Sequence, residues 1–164
     1  MNKVIVIGCP GSGKTTFSLK LHEVLGLPLY HLDSIWHKPD KTHILREEFD
    51  ERLSEIMVGE RWIIDGNYSR TLRRRISGCD TVILFDLPTE DAIDGARARI
   101  GKKRVDMPWV DTELDPQLKA EIESFKAEKL PEIYGFIEEF GQRVRAVVFR
   151  SRAEADAFIS SLTV

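Results

Sequence analysis

Five short apolar runs punctuate the chain, and the stretches between them carry hydrophobic residues at helical spacing. Val4-Ile5-Val6-Ile7 is continuous and β-branched, as expected of a strand buried on both faces rather than one with a solvent side. Comparable runs at 27–32, 61–65, 81–86 and 145–149 predict four more strands. Phe49, Leu53, Ile56 and Met57 recur every three or four positions and predict a helix between the second and third strands. Strand and helix alternate throughout, which predicts an α/β fold of three layers with a parallel sheet covered on both faces. The punctuation agrees. Gly26 and Pro28 stop the first helix, Asp115-Pro116 suits an N-cap and first helical position, and Ser151-Arg152-Ala153-Glu154 is a capping box opening the last helix.

At 164 residues, 42% hydrophobic, the chain is long enough for one domain that buries roughly 70% of its unfolded surface. No repeat, low-complexity segment or linker divides it, so residues 1–164 read as a single domain. No window approaches the ~18 apolar residues a bilayer span needs, and a strand at Lys3 stands where a leader would, so a cytoplasmic location is expected. The net charge of −3 and pI near 5.8 argue against direct nucleic-acid binding, since the surface as a whole repels phosphodiesters. Cys9 and Cys79 form no CxxC or Cys/His cluster, which indicates neither a zinc site nor a disulfide framework. Cys9 reads as a small loop filler, although its place near a helix N-terminus would favour a thiolate.

The candidate chemistry begins where the first strand ends. Gly8-Cys9-Pro10-Gly11-Ser12-Gly13-Lys14-Thr15 is a GxxxxGKT loop between a strand and a helix, continued by Thr16. Its glycines let successive N–H groups converge on one anion, and the helix adds the positive end of its dipole. Lys14 supplies a mobile charge for the β/γ oxygens of a nucleoside triphosphate, and the Thr15 hydroxyl is placed for Mg²⁺. ATP and Mg²⁺ are therefore the expected cofactors.

In an open α/β sheet, ligands collect beyond the carboxyl ends of the strands. The second strand leads to His31-Leu32-Asp33, the third to Asp65-Gly66-Asn67-Tyr68-Ser69-Arg70, the fourth to Asp86-Leu87-Pro88 and the fifth to Arg150-Ser151-Arg152. A carboxylate there can orient a Mg²⁺-bound water; Asp65 is the first candidate and Asp33 the second, with a turn or cap aspartate as the plain alternative for each. Arg70 is expected to point back into the crevice and grip an acceptor, with Arg46 as a possible second clamp. Arg73, Arg74 and Arg75 splay around a helix and read as a solvated face. Arg97, Arg99, Lys102, Lys103 and Arg104 crowd around Gly101, followed by acidic Asp106, Asp111, Glu113 and Asp115, and suggest a charged lid over about 97–115 that closes Arg99 and Arg104 over a transferring phosphoryl group. His22, His31, His37 and His43 read as packing or surface residues.

Gly8 to Thr16, His31-Leu32-Asp33, the string from Trp62 to Leu72 and Leu84-Phe85-Asp86-Leu87-Pro88 together resemble the DNA topology modulation (FlaR-like) proteins, relatives of adenylate kinase and shikimate kinase among the P-loop nucleoside/nucleotide kinases. The resemblance runs through nearly the whole chain. Asp65-Gly66-Asn67-Tyr68-Ser69-Arg70 looks like a counterpart of adenylate kinase's Asp-Gly-Phe-Pro-Arg, which implies a magnesium role for Asp65 and an acceptor-phosphate role for Arg70. It implies further that Arg97 lies against the adenine and that Arg150-Ser151 belongs to the loop closing over the base. The chain departs from the family pattern at His37, Lys41 and Met107-Pro108-Trp109-Val110, all on the acceptor side.

These readings converge on a five-stranded parallel sheet ordered 2-3-1-4-5 and on a Mg²⁺- and ATP-dependent phosphotransferase of the nucleoside/nucleotide kinase type. Arg70 would orient a small, anionic or nucleotide-like acceptor, and Asp33 would position or deprotonate its hydroxyl. The alternatives are an ATP-binding regulator that passes its lid state to a protein partner, and a direct DNA-binding protein acting on topology.

Overall fold

The computed structural model describes residues 1–163. Its strands are β1 (Lys3–Gly8), β2 (Leu29–His31), β3 (Trp62–Asp65), β4 (Thr81–Phe85) and β5 (Arg145–Phe149). They form one sheet in the order β2-β3-β1-β4-β5 with every pairing parallel, as the alternating sequence pattern predicts. Among the described residues seven helices lie between the strands, α1 (Lys14–Leu25), α2 (Leu32–Trp36), α3 (Arg46–Val58), α4 (Ser69–Gly78), α5 (Thr89–Ala98), α6 (Pro116–Glu128) and α7 (Leu130–Phe140), and α8 (Arg152–Leu162) follows β5.

The period-two geometry of a strand sends alternate residues of β1 to opposite faces. Val4 and Val6 pack with Phe17 and Leu21 of α1, Ala155 of α8 and the rings of Phe85 and Phe149. Ile5 and Ile7 face the other layer, where Phe49, Leu53, Leu72, Ile76, Ile122 and Ile133 come from α3, α4, α6 and α7. Both layers are dry, which is why β1 needs no polar position. Strand β2 is shorter than its apolar run, because His31 already caps α2 and Leu32 starts that helix.

Local signals fix the ends of several helices as the sequence suggests. Gly26 closes α1 in the left-handed region with its N–H donating to the His22 carbonyl. Asp115 caps α6 by accepting from the Gln117 amide, with Pro116 at the first position. Ser151 caps α8 by accepting from the Glu154 amide, and the Glu154 carboxylate in turn accepts from the Arg150 amide at 2.6 Å. Between α5 and α6 the chain has no regular element longer than a turn. It crosses the carboxyl end of the sheet, pinned where Gly101 N–H donates to the Asp111 carbonyl (2.7 Å) and Ser34 Oγ donates to the Asp106 carbonyl (3.0 Å). No helix of the described residues is long and apolar enough to cross a membrane.

Candidate functional site

Residues 8–14 bend sharply between β1 and α1, and two glycines are required there. Gly8 has φ 145°, and a Cβ on it would stand 2.4 Å from the Phe85 carbonyl oxygen. Gly11 has φ 81°, and its Cβ would meet the Ala92 carbonyl oxygen at 2.2 Å, so the loop lies directly on α5. Ser12 N–H donates to the Cys9 carbonyl (3.2 Å), and Lys14 Nζ reaches back to the same oxygen (3.0 Å). Three features of the described residues leave the loop's polar groups open. The α1 N-terminus has no side-chain cap, no acidic residue occupies its first turn, and the buried Ser12 hydroxyl has no partner. Burial pulls the Lys14 pKa below its ordinary value, with Asp65, Cys9 and Asp33 opposing. Burial likewise pushes the Cys9 thiol up to about 11, with Lys14 and Lys126 opposing, which disfavours the thiolate.

Carboxylates gather at the next residue. Thr15 Oγ1 lies 3.2 Å from Asp65 Oδ2 and 3.3 Å from Asp106 Oδ2. Asp65 ends β3, and His31 Nδ1, ending β2, stands 2.8 Å from the same Oδ2. Burial disfavours the His31 cation, but the hydrogen bond and charge of Asp65, joined by Asp106 and Asp33, outweigh it and hold the His31 pKa above its ordinary value. Asp106 descends from the lid and is buried; Arg104 donates to both its oxygens, at 3.0 and 2.6 Å. A hydroxyl with two carboxylates is the hard donor set that Mg²⁺ takes. Among the described residues no group of three His, Cys, Asp or Glu side chains could hold a metal ion.

The segment after Asp65 is held from beneath by Arg75. Its guanidinium donates to the carbonyls of Gly66 (2.9 Å), Asn67 and Tyr68 (3.2 Å) and to Thr71 Oγ1 (3.1 Å), and the side chain is fully buried. That overturns the expectation of a solvated face for Arg75; burial lowers its pKa to about 10. Thus held, Asn67 brackets the phosphate loop, accepting from Gly8 N–H (3.0 Å) and donating to the Gly8 carbonyl (2.7 Å). Tyr68, left-handed at φ 41°, sends its hydroxyl to Asp33 Oδ1 at 2.6 Å. Burial and then the Asp33 charge keep that phenol protonated, with its pKa raised.

Two cavities flank Lys14 and Thr15. One of about 640 Å³ is lined by Gly11, Gly13, Thr16, Lys102 and Arg152. The other, about 470 Å³, is lined by Pro10, His31, Asp33, Asp65, Tyr68 and Trp109. Lys14, Thr15, Arg99, Arg104 and Asp106 line both and so form the partition between them. The Arg99 Nε is buried without a partner, and burial, then the charge of Arg104, lowers its pKa.

The residues singled out in the sequence separate accordingly. Gly8, Pro10, Gly11, Ser12, Gly13, Lys14, Thr15 and Thr16 form or adjoin the loop, and Asp33, Asp65, Arg99 and Arg104 converge on it. Four do not. Arg70 makes a bidentate ion pair with exposed Asp50, at 2.7 and 3.0 Å, and with Arg46 it lines a separate cavity beside Trp36 and Phe49 instead of pointing back into the crevice. Arg97 is exposed on α5 and lines neither flanking cavity. Arg150 pairs with Asp86 at 2.6 Å, and Ser151 is occupied as the α8 cap. It is Arg152 that reaches the loop, its Nη2 donating to the Gly11 carbonyl (2.9 Å) and the Asp91 carbonyl (3.1 Å). Two histidines read as packing or surface residues also belong here, His31 on Asp65 and His37 in the smaller cavity.

No protein-family model and no curated protein sequence matches the chain. Among solved structures it is similar to the shikimate kinase of Bacteroides thetaiotaomicron, with a TM-score of 0.56 over 97% of this chain and 94% of that one, at 15% sequence identity. The chain therefore shares the fold of that kinase structure, here a five-stranded parallel sheet in the order β2-β3-β1-β4-β5. The narrower resemblance to DNA topology modulation proteins stands on the sequence strings alone.

Proposed function

We propose that this chain is a Mg²⁺- and ATP-dependent phosphotransferase that passes the γ-phosphoryl group of ATP to the hydroxyl of a small acceptor. The observation that carries this reading is the partition: Lys14, Thr15 and Arg99 stand between two cavities, one beside the uncapped helix and the other floored by Asp33. The likeness to a shikimate kinase structure supports the reading at the level of the fold. In this scheme the amides of residues 11–15 and Arg152 hold the donor in the larger cavity. Thr15 and Asp65 would hold the metal, with Asp106 beside them, and the ion would supply charge neutralisation between the β- and γ-phosphates.

The acceptor hydroxyl lies against Asp33, which accepts its proton as the acceptor oxygen bonds to the γ-phosphorus. The bond to the β–γ bridging oxygen breaks, and ADP leaves with the electron pair. Lys14 and Arg99 meet the charge that spreads over the equatorial oxygens of a loose transition state. The lid, held down by Asp106 on Thr15 and by Ser34, excludes water that would otherwise take the phosphoryl group.

The test is a coupled ADP-release assay over a panel of hydroxyl compounds. Lys14→Ala is expected to lower acceptor-stimulated turnover by roughly 10²-fold or more, with the far-ultraviolet circular dichroism unchanged. Turnover unaffected by that change, or ADP release that no acceptor stimulates, would reject the phosphotransferase reading in favour of an ATP-binding regulator.

A further inference from the structure

The cavity that faces Asp33 is lined mainly by acid. Asp33, Asp65, Asp106 and Asp111 stand on its walls, and Glu113, Asp115 and Glu121 at its exposed rim, against the cations Lys14, Arg99 and Arg104. Arg104 is ion-paired, and Lys14 and Arg99, whose Nε has no partner among the described residues, stand where the proposed transfer places the γ-phosphoryl group. Arg104 is tied to Asp106 at 2.6 Å and faces Asp111 at 3.7 Å, while Lys14 and Arg99 line both cavities at the partition. His31 is held by Asp65, and His37 stands 3.9 Å from Asp33 with its ring edge-on to Trp109. The two arginines suited to gripping an acceptor's anionic group, Arg46 and Arg70, lie outside this cavity, and Arg70 is neutralised by Asp50.

We infer that the acceptor is an uncharged or positively charged alcohol, not a phosphorylated or carboxylated one. This rests on the phosphotransferase reading and names the acceptor class for the same site. An anionic substituent seated beside Asp33 or facing the Glu113–Asp115–Glu121 rim meets like charge that outnumbers the cations there, Lys41 over the Trp109 ring (5.8 Å) included. A neutral hydroxyl compound instead donates to Asp33 and lies along the Trp109 and Tyr68 rings, and an amine is drawn in by the rim. The two cavities thus differ in charge: Lys102, Lys103 and Arg152 line the one for the triphosphate, and carboxylates predominate in the one for its acceptor.

Matched probes test this on the full chain with Mg²⁺ and ATP: nucleosides against their 5′-monophosphates, sugars against the corresponding sugar acids, and amino alcohols against hydroxy acids. ADP release is expected from uncharged or cationic members, with kcat/KM at least about tenfold above each anionic counterpart. In the double variant Glu113→Lys/Glu121→Lys, KM for an amino alcohol should rise severalfold and the gap to its anionic partner should narrow. Calorimetry with a β,γ-imido ATP analogue bound should show the same order of affinities without turnover. An anionic member that equals or surpasses its neutral partner overturns the inference and leaves the phosphotransferase reading standing. ADP release stimulated by neither arm overturns both.

Discussion

Replacing Arg75 by Met removes four donated hydrogen bonds but keeps most of the side-chain volume. The carbonyls of Gly66, Asn67 and Tyr68 lose the guanidinium that joins them, in a place water cannot easily reach, since Arg75 is 0% exposed. The Tyr68 carbonyl keeps the Thr71 amide and hydroxyl as donors, whereas the orphaned Gly66 and Asn67 carbonyls cost about 1–3 kcal/mol each. The change also relieves the desolvation of a charge with no carboxylate partner, which pulls the sum toward the low end. The expected loss is about 3 kcal/mol, a fall in melting temperature of roughly 6–12 °C for a chain of this size. Asn67 brackets Gly8 and Tyr68 holds Asp33, so ATP binding and turnover should fall together at a temperature where the variant is still folded. Differential scanning calorimetry gives the stability and a coupled assay gives the turnover. A variant destabilised by less than about 1 kcal/mol, the size of a single ordinary hydrogen bond, would show that the loop does not depend on Arg75.

Other outcomes follow from single contacts. Arg152→Ala loses the donations to the Gly11 and Asp91 carbonyls and should weaken ATP binding about tenfold, or about 1.4 kcal/mol, whereas Arg150→Ala, outside the larger cavity, should leave it unchanged; calorimetric titration of both variants distinguishes the two arginines. Asp80 accepts from the Asn2 and Lys3 amides and the Thr81 hydroxyl. Partial burial opposes them, but these bonds hold its carboxyl below the ordinary value of 3.8. Because the folded-state pKa is the lower one, its stabilisation is present above the unfolded value and fades as pH falls through the folded value. Urea midpoints of wild type and Asp80→Asn should therefore differ at pH 6 and converge below pH 3.8, and a gap independent of pH would contradict the assignment.

Most of the architecture is local in origin and so was legible in the chain. A β-branched run such as Val4–Ile7 has no stable place except between two layers, and the strand–loop–helix around Gly8 to Thr15 carries its chemistry in consecutive residues. Side-chain direction around helices was harder to read. Arg70 and Arg75 lie on the same helix about 140° apart, and α4 starts at Ser69, which turns Arg70 toward Asp50 and Arg75 under the loop. At the β5–α8 junction the Ser151 cap reverses the chain direction, so the inward arginine is Arg152 rather than Arg150. His31 escaped notice because its partner, Asp65, is 34 residues away and meets it only through the β2–β3 register. The acidic character of the smaller cavity depends on the lid folding back over α2, a contact with no signature in any single segment.

The account rests on the loop between β1 and α1 holding a nucleoside triphosphate. Isothermal titration of the purified chain with Mg-ATP, run beside Lys14→Ala, tests this most directly. The account predicts saturable one-to-one binding by the wild type and binding at least about tenfold weaker in the variant; no heat from the wild type, or equal affinity in both, would contradict it.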